Sequence, residues 1–400
     1  MKLAFVAPFA CSPKATVSAR MLPMAAALVA RGHSVHVLVP PYDNVVDSER
    51  TWTQDGVIVE NLRASGAGAA AQWSLAGRLA GRVTALGPDL IHVFKPVGPG
   101  ALALTRSMFP GGQRWTAPVI LDNDDWEGHG GWLDVNPQPA LVRAVLAWQE
   151  GWTLGHAKAI TCASETLMTR SGELAPGIPT ALMPNGPHPS LRADVAAIEP
   201  TRQALRAGYG WRDKQVVIYL GTIPAGHDMD IALSAFAAAA ESNPDLILCV
   251  IASGAGLPSF RQAAERSGVG RRIEWHGFIP HPEAIRRLVA ADIAVYPYRD
   301  TNINRAKCSG KVIDYMAAGK PMVVSDVGMN RVYLTDGEHA LLTPPGDGAA
   351  FGAALQRLVA DPAYANSLGA NAQERLWKNF AWGKRIPELE QLYARTSAAN

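Results

Sequence analysis

The sequence predicts an α/β protein built from two doubly wound, Rossmann-like domains. Short apolar, β-rich runs alternate with helical stretches from one end of the chain to the other. Several of these runs are apolar on both faces, as strands buried in a parallel sheet are. The alternation breaks once, in a proline-rich stretch near the middle, and then restarts. Repeated βαβ alternation of this kind argues for parallel sheets covered by helices, and 400 residues leave room for two such domains.

In the first half the strand-like runs are 2–10, 33–40, 57–62, 90–96, 118–124, 159–164 and 180–186. Helical patterns lie between them, as at Ser18–Arg31 and Ala140–His156. The stretch Pro187–Pro200 has no clean period and reads as a linker. The second half then gives runs at 215–221, 246–253, 273–278, 293–298, 321–326 and 339–345. From about Ala363 the chain reads helical, with Trp377, Phe380, Trp382, Leu389 and Tyr393 spaced along it. The expected domains are 1–192 and 200–380, with 381–400 packing back onto the first. Ligands of open parallel sheets bind beyond the carboxyl ends of the strands. Two such domains facing a cleft would therefore present their post-strand loops to it.

Hydrophobic residues make up 48% of the chain and charged residues 18%, enough apolar material for real cores and too little charge for a disordered chain. The net charge is +2 and both halves are balanced, which excludes a basic nucleic-acid platform. Cys11, Cys162, Cys249 and Cys308 lie far apart with no zinc spacing, and a reducing cytoplasm fits them. The amino terminus runs straight into the first strand, unlike a signal peptide. No apolar run approaches the ~20 residues that span a bilayer.

The densest signal is the segment from Asn304 to Pro321, NRAKCSGKVIDYMAAGKP. Ser309 and Gly310 suit a helix start, where free backbone N–H groups and the dipole favour an anion. Arg305, Lys307 and Lys311 surround that start, a pattern that suits a diphosphate. Asp314, three residues after Lys311, is placed to accept hydrogen bonds from ribose hydroxyls. The alternative is a solvated basic loop with Asp314 simply paired to Lys311. The arrangement resembles the donor-site helix of the retaining GT-B glycosyltransferases of group 1, where an E-x7-E pattern precedes A-x-G-x-P-V-V. Asp314 stands at the second glutamate and Ala306 at the first, so the residue that commonly contacts the donor sugar is missing.

The resemblance covers about 200–398 and implies a nucleoside-diphosphate sugar as substrate, with no further cofactor and no metal. Gly221 and Thr222 would belong to the phosphate loop after the domain's first strand, and Gly254 to a GxG turn after the second. Phe278 and Ile279 would line the base. The family's Arg and Lys after the first strand are replaced here by Thr222, Pro224, His227 and Asp228.

In the first half, Lys14 lies in the loop after the first strand, with Thr16 and Ser18 beside it. The loop Asp122–Trp132 gathers four carboxylates, a histidine and two tryptophans, too much polarity for a core. The resemblance places a His or Asp of this loop near the reacting carbon, so Asp124, Asp125 and His129 are the catalytic candidates, with Trp126 and Glu127 on the acceptor side. The Asp-Asn-Asp run also matches a metal-binding DxD of a different glycosyltransferase fold. Asn185, in Met-Pro-Asn-Gly, either lines the cleft or makes a turn. His92 reads as a sheet histidine, and Lys95 is able to reach the cleft. Arg78 and Arg82 within Trp73–Leu86 allow either a peripheral contact with an anionic inner-membrane face or an ordinary amphipathic helix.

The reading is transfer of a sugar from a nucleoside-diphosphate sugar to an acceptor hydroxyl, with retention by resemblance. The acceptor is a saccharide, a lipid-linked sugar or a small molecule. A nucleotide-sugar epimerase of the same fold and a non-catalytic nucleotide-binding scaffold are the alternatives.

Overall fold

A computed structural model describes residues 1–398 apart from 13, 15, 65, 67, 110, 111 and 225–227. The chain forms two compact units. The first comprises Met1–His188, Arg305–Cys308 and Ala381–Asn400; the second comprises Pro189–Asn304 and Ser309–Phe380.

The first unit holds an eight-stranded sheet. Its strands are β1 (Lys2–Val6), β2 (Ser34–Val39), β3 (Thr51–Gln54), β4 (Val57–Asn61), β5 (Leu90–Phe94), β6 (Val119–Asn123), β7 (Ala159–Cys162) and β8 (Thr180–Leu182). Their order is β3-β4-β2-β1-β5-β6-β7-β8, parallel except for β3 against β4. Strands β1, β5, β6 and β7 are buried almost throughout, which is why they read as largely apolar on both faces. Strand β3 escapes the hydrophobic pattern because it is polar and exposed at the sheet edge. Its signal is the turn instead: Asp55 and Gly56 have φ of 50° and 76°, the left-handed pair that closes a two-residue hairpin.

The second unit holds a six-stranded, wholly parallel sheet in the order β11-β10-β9-β12-β13-β14. The strands are β9 (Gln215–Thr222), β10 (Leu246–Ser253), β11 (Ile273–His276), β12 (Ile293–Tyr296), β13 (Met322–Ser325) and β14 (Leu341–Thr343).

One expectation is corrected. The proline-rich stretch is not an irregular linker: it contains the helix Leu191–Ile198, followed by a short turn and the helix Arg202–Gly208. Leu191 and Val195, four apart, are its buried face, and two apolar side chains were too few to show as a period. The helix Ala69–Leu86 buries Leu75, Leu79 and Val83 against the unit's interior. Of the two readings of this stretch, burial of its Leu and Val face agrees with the ordinary amphipathic helix.

The chain closes with the helix Trp382–Ala398 on the first unit. Trp382, Ile386, Leu389 and Tyr393 recur at helical spacing and are all at most 2% exposed within that unit's core. Burial of each such side chain stabilises by roughly 1.5–3 kcal/mol. The Tyr393 hydroxyl meets His92 Nδ1 at 2.8 Å, and His92 Nε2 meets Thr161 Oγ1 at 3.1 Å. Thr161 donates its proton to Asp122 at 2.6 Å, so its oxygen accepts from His92 Nε2–H and His92 Nδ1 accepts from Tyr393. Burial pushes the His92 imidazole down to about 4, against partial opposition from Asp122.

Because folded His92 binds its proton less tightly than the unfolded chain does, its contribution is intact above pH 6.5 and declines as pH falls toward 4. At about 1.4 kcal/mol per pH unit, roughly 3 kcal/mol is lost by pH 4. Thermal melts of the wild type and His92→Gln across this range should show a shallower acid slope in the variant; equal slopes would remove His92 as the cause.

Candidate functional site

In the second sheet the chain winds outward from β9 through β10 and β11, then returns to place β12 on the other side of β9. The order therefore reverses between β9 and β12, and loops leaving their carboxyl ends diverge there, as at the ligand sites of open parallel sheets. The loop after β9 begins at Gly221 and Thr222, while the segment after β12 leads to the helix Gly310–Ala317.

That helix starts as its sequence dictates. Ser309 has extended backbone, and its hydroxyl accepts from the Lys311 N–H at 3.2 Å. The direction a Gly310 side chain would take has no atom within 4 Å, so the helix start is uncrowded there. Lys311 Nζ donates to Asp314 at 3.3 Å, and His281 Nε2 lies 3.2 Å from the other oxygen of the same carboxylate. Asp314 is 7% exposed. Burial alone would raise its carboxyl, but the Lys311 and His281 charges prevail and hold it below the usual range. The carboxylate is thus kept ionised, with both oxygens acting only as acceptors.

Beneath this start lies a floor of tyrosines. The Tyr296 hydroxyl bonds both Tyr298 and Ser309. Tyr315 accepts from the Leu220 N–H at 2.9 Å. A side chain at Gly221 would fall 2.7 Å from the Tyr219 hydroxyl, so the tyrosine ring would have to shift to admit one. Gly254 has φ +120°, and a Cβ on it would lie 2.4 Å from the Ile223 carbonyl. The Gly256 N–H donates to that same carbonyl at 2.9 Å, so the GxG turn clasps the loop leaving β9. Thr222 is exposed, Phe278 is 76% exposed, and Ile279 is half-buried. His227 lies outside the described residues.

The sequence left the loop after β9 without a cation, and the fold brings one from β12. Arg299 reaches Asp228 at 3.3 Å and Asp230 at 2.5 Å, and Asn304 donates to Asp228 at 2.9 Å. The run Tyr-Pro-Tyr-Arg after β12 was its only signal.

Arg305 and Lys307 group with the first unit, not with the helix that Lys311 opens. Arg305 is exposed, and Lys307 Nζ stands 5.5 Å from the centre of the Trp132 ring.

In the first unit the acidic loop after β6 converges on Lys95. This lysine sits at the end of β5 with φ 67°, a left-handed backbone unusual for a side chain of its size. Its Nζ lies 3.1 Å from Asp124, 2.6 Å from Asp125 and 2.6 Å from Glu127. Burial works against its charge, yet the three carboxylates hold its affinity for a proton well above the ordinary value. Asp124 also accepts from Thr16 at 3.2 Å, and burial together with neighbouring Asp125 and Asp122 lifts its carboxyl to about 6 although Lys95 opposes this.

His129 does not join this ring. It is 63% exposed and faces Asp134 at 3.3 Å. Trp126 is half-buried with Arg170 stacked 4.3 Å from its ring centre, so that face is already occupied. Lys14 pairs with Asp43 at 3.4 Å.

Behind the ring, Arg20 holds Asp122 through two bonds of 2.7 and 2.6 Å, and the two side chains are 2% and 0% exposed. Asp122 is thereby committed to Arg20 and Thr161, leaving the Asp-Asn-Asp run without its first carboxylate for a metal. Arg20 also donates to Asn185 at 2.7 Å, and Asn185 Nδ2 donates to the Cys308 carbonyl at 2.7 Å. Asn185 is thus a tie between segments of the first unit. Arg20 was invisible in the sequence because it sits in an otherwise apolar helical run.

Cys249, Glu274 and His276 on β10 and β11 have ligand atoms within 4.8 Å of one another, a set able to hold a metal ion. Both Glu274 oxygens already accept from the Trp211 indole at 3.0 Å. A cavity of about 1290 Å³ opens at the opposite end of the second sheet, where β9, β12 and β13 begin. Arg202, Arg206 and Lys320 line it, and they donate to the carbonyls of Val289, Ala290 and Ala291 that end the helix His281–Ala290. Those cations serve the helix terminus.

Two parallel-sheet units with glycine-lined loops at the carboxyl edge of the second define the GT-B fold class. Residues 214–361 match the family described as glycosyl transferases group 1, and residues 16–186 match the glycosyl transferase 4-like domain. The chain belongs to the group 1 glycosyltransferase family. The glycogen synthase of Mycobacterium tuberculosis is 24% identical over 76% of this chain and 68% of its own length. The alpha-D-kanosaminyltransferase of Streptomyces kanamyceticus is 25% identical over 44% of this chain and 45% of its own. The chain spans about half the length of several curated relatives it matches. Among solved structures, a sucrose-phosphate synthase of Thermosynechococcus elongatus aligns over 100% of both chains with a TM-score of 0.73 and 19% identity. A HepE protein of Anabaena in complex with UDP-glucose aligns over 100% of both chains with a TM-score of 0.72 and 16% identity.

Removing the Arg20 guanidinium leaves Asp122 buried without its partner, which costs about 3–5 kcal/mol. Arg20→Met should lower the denaturant midpoint accordingly, and Arg20→Met with Asp122→Leu should recover part of the loss. A single variant as stable as the wild type would show that the pair is dispensable.

Proposed function

We propose that this chain transfers a glycosyl group from a nucleoside-diphosphate sugar to an acceptor hydroxyl, with retention of configuration and without a metal. The observation that carries the reading is the uncrowded start of the helix Gly310–Ala317, capped by Ser309 and bearing Lys311 and an ionised Asp314 at the switch point of the second sheet. A diphosphate at such a start meets backbone N–H groups and the positive end of the dipole. Lys311 adds charge, and Asp314 accepts from the ribose hydroxyls. Gly221, Thr222 and Gly254 border the diphosphate, and Phe278 and Ile279 face the base. The neighbour bound to UDP-glucose makes uridine the first base to test.

Negative charge grows on the departing diphosphate as the glycosyl bond breaks. Groups that bind it more tightly in that state than in the substrate speed the step. In the first unit, Asp124, Asp125 and Glu127 are held ready by Lys95 to orient an acceptor, with Asp124 poised near neutrality. The exposure of His129 leaves it free to meet a ligand rather than a protein partner other than Asp134.

Lys311→Ala should weaken nucleoside-diphosphate binding by roughly 10- to 100-fold, the worth of one charge-assisted hydrogen bond, with the melting temperature little changed. Unchanged affinity, read by titration calorimetry, would remove the diphosphate assignment. Asp125→Asn should lower kcat while leaving donor affinity intact. Turnover of donor without any acceptor, giving an epimerised nucleotide sugar, would instead establish the epimerase reading.

A further inference from the structure

Strand β11 is an edge of the second sheet, paired only with β10. In that pairing Cys249 stands opposite Glu274, and Ile251 stands opposite His276. Side chains alternate between the two faces of a sheet. Cys249, Glu274 and His276 therefore share one face, and Val250 and Trp275 take the other. The ligand atoms of the three lie within 4.8 Å of one another, the one such group among the described residues. They come from two strands, so no local spacing in the sequence announces them.

The three side chains are arranged as ligands are. Cys249 is wholly buried, and burial pushes its thiol up, with Glu274 adding to the effect. His276 Nε2 is shut off from solvent and has no hydrogen-bond partner. It lies 3.6 Å from Glu274 Oε2, beyond hydrogen-bond reach. A buried orphan nitrogen of this kind calls for an ion or a water. Glu274 is held from behind: both of its oxygens accept from the Trp211 indole at 3.0 Å, and Trp211 is fully buried. A carboxylate has about four lone-pair sites, so each oxygen keeps one for another partner. Such a bond from behind is what orients a metal-binding side chain. The neighbouring cation is already matched, because Arg287 pairs with Glu283 at 3.4 Å and stacks 4.2 Å from the centre of the Tyr209 ring.

We propose that Cys249, Glu274 and His276 form a site for a zinc ion that pins the edge strand β11 to β10. Sulfur, imidazole nitrogen and carboxylate oxygen together favour zinc over magnesium or calcium. As the zinc–sulfur bond forms, the thiol proton passes to solvent, and thiolate and carboxylate then balance the two charges of the ion. The imidazole binds through Nε2 and keeps its proton on Nδ1. Three protein ligands leave the fourth tetrahedral position to water. His276 is the last residue of β11, so the ion holds the strand end from which Phe278 and Ile279 follow. The donor reading needs no metal, and the zinc site stands or falls independently of it.

The test is titration of the full chain, stripped of metal and with its thiols reduced, using Co2+ as a coloured substitute for zinc. One equivalent should bind with the absorption of a thiolate-to-cobalt charge transfer. Zn2+ should bleach that band, and excess Mg2+ should not. Cys249→Ala should abolish it. His276→Gln should weaken cobalt binding by roughly tenfold or more, and its partly exposed position keeps the test open if the core substitution impairs folding. Cys11→Ser, which alters the most exposed thiol, should change nothing. Zinc should also raise the melting midpoint of the wild type by a few degrees and leave that of His276→Gln nearly unmoved. No band in the wild type, a band that Cys11→Ser removes, or equal binding by the wild type and both site variants would overturn the proposal.

Discussion

Arg20 enters the interior of the first unit with 2% of its side chain exposed, and the polar groups around it are arranged to keep its charge. A guanidinium at that depth survives only if a carboxylate meets it squarely and the remaining donors find acceptors. Asp122 supplies the carboxylate through two bonds, and Asn185 takes another donor. From that centre the bonds run outward in two directions. One passes through Thr161 and His92 to Tyr393, fastening the terminal helix. The other passes through Asn185 to the carbonyl of Cys308, the residue just before the helix cap Ser309 in the chain. The network thus ties the two distant returns of the chain, Arg305–Cys308 and Ala381–Asn400, to the first sheet.

The same ion pair explains why the acidic loop is available for chemistry. Asp122 is spent inside, so the carboxylates that reach outward are Asp124, Asp125 and Glu127, gathered on Lys95. Three acids on one buried cation cannot all be comfortably ionised, and Asp124, the most enclosed, is the one lifted to about 6. The second unit solves a different problem. Its candidate ligand carries the negative charge, so the protein offers a helix start, a lysine and an exposed glycine-lined loop. Tyrosines buried beneath form a hydroxyl-bonded floor that adds no charge of its own.

Most of the fold was legible because buried parallel strands leave mostly apolar runs, as in Val216–Leu220. What escaped was polar or short. Strand β3 lies at an edge with little to bury, and only Asp55-Gly56 betrayed it. The helix Leu191–Ile198 hides behind prolines and needs just two buried contacts. At the donor helix, Ser309, Lys311 and Asp314 were readable because a cap, a cation and a carboxylate at fixed helical spacing form a local pattern. Arg20, His281 and Arg299 were not, because each finds its partner 33 to 102 residues away and a single arginine or histidine has no spacing to read.

The central claim is that the second unit receives a nucleoside diphosphate at the start of the helix Gly310–Ala317. The most direct measurement is thermal stability of the intact chain against a panel of nucleoside diphosphates and their sugars, with and without magnesium. A ligand present at 100 times its Kd adds about 2.7 kcal/mol and raises the midpoint by a few degrees. The account predicts a selective rise with one diphosphate and its sugars, undiminished when magnesium is withheld. No rise with any member of the panel would contradict it.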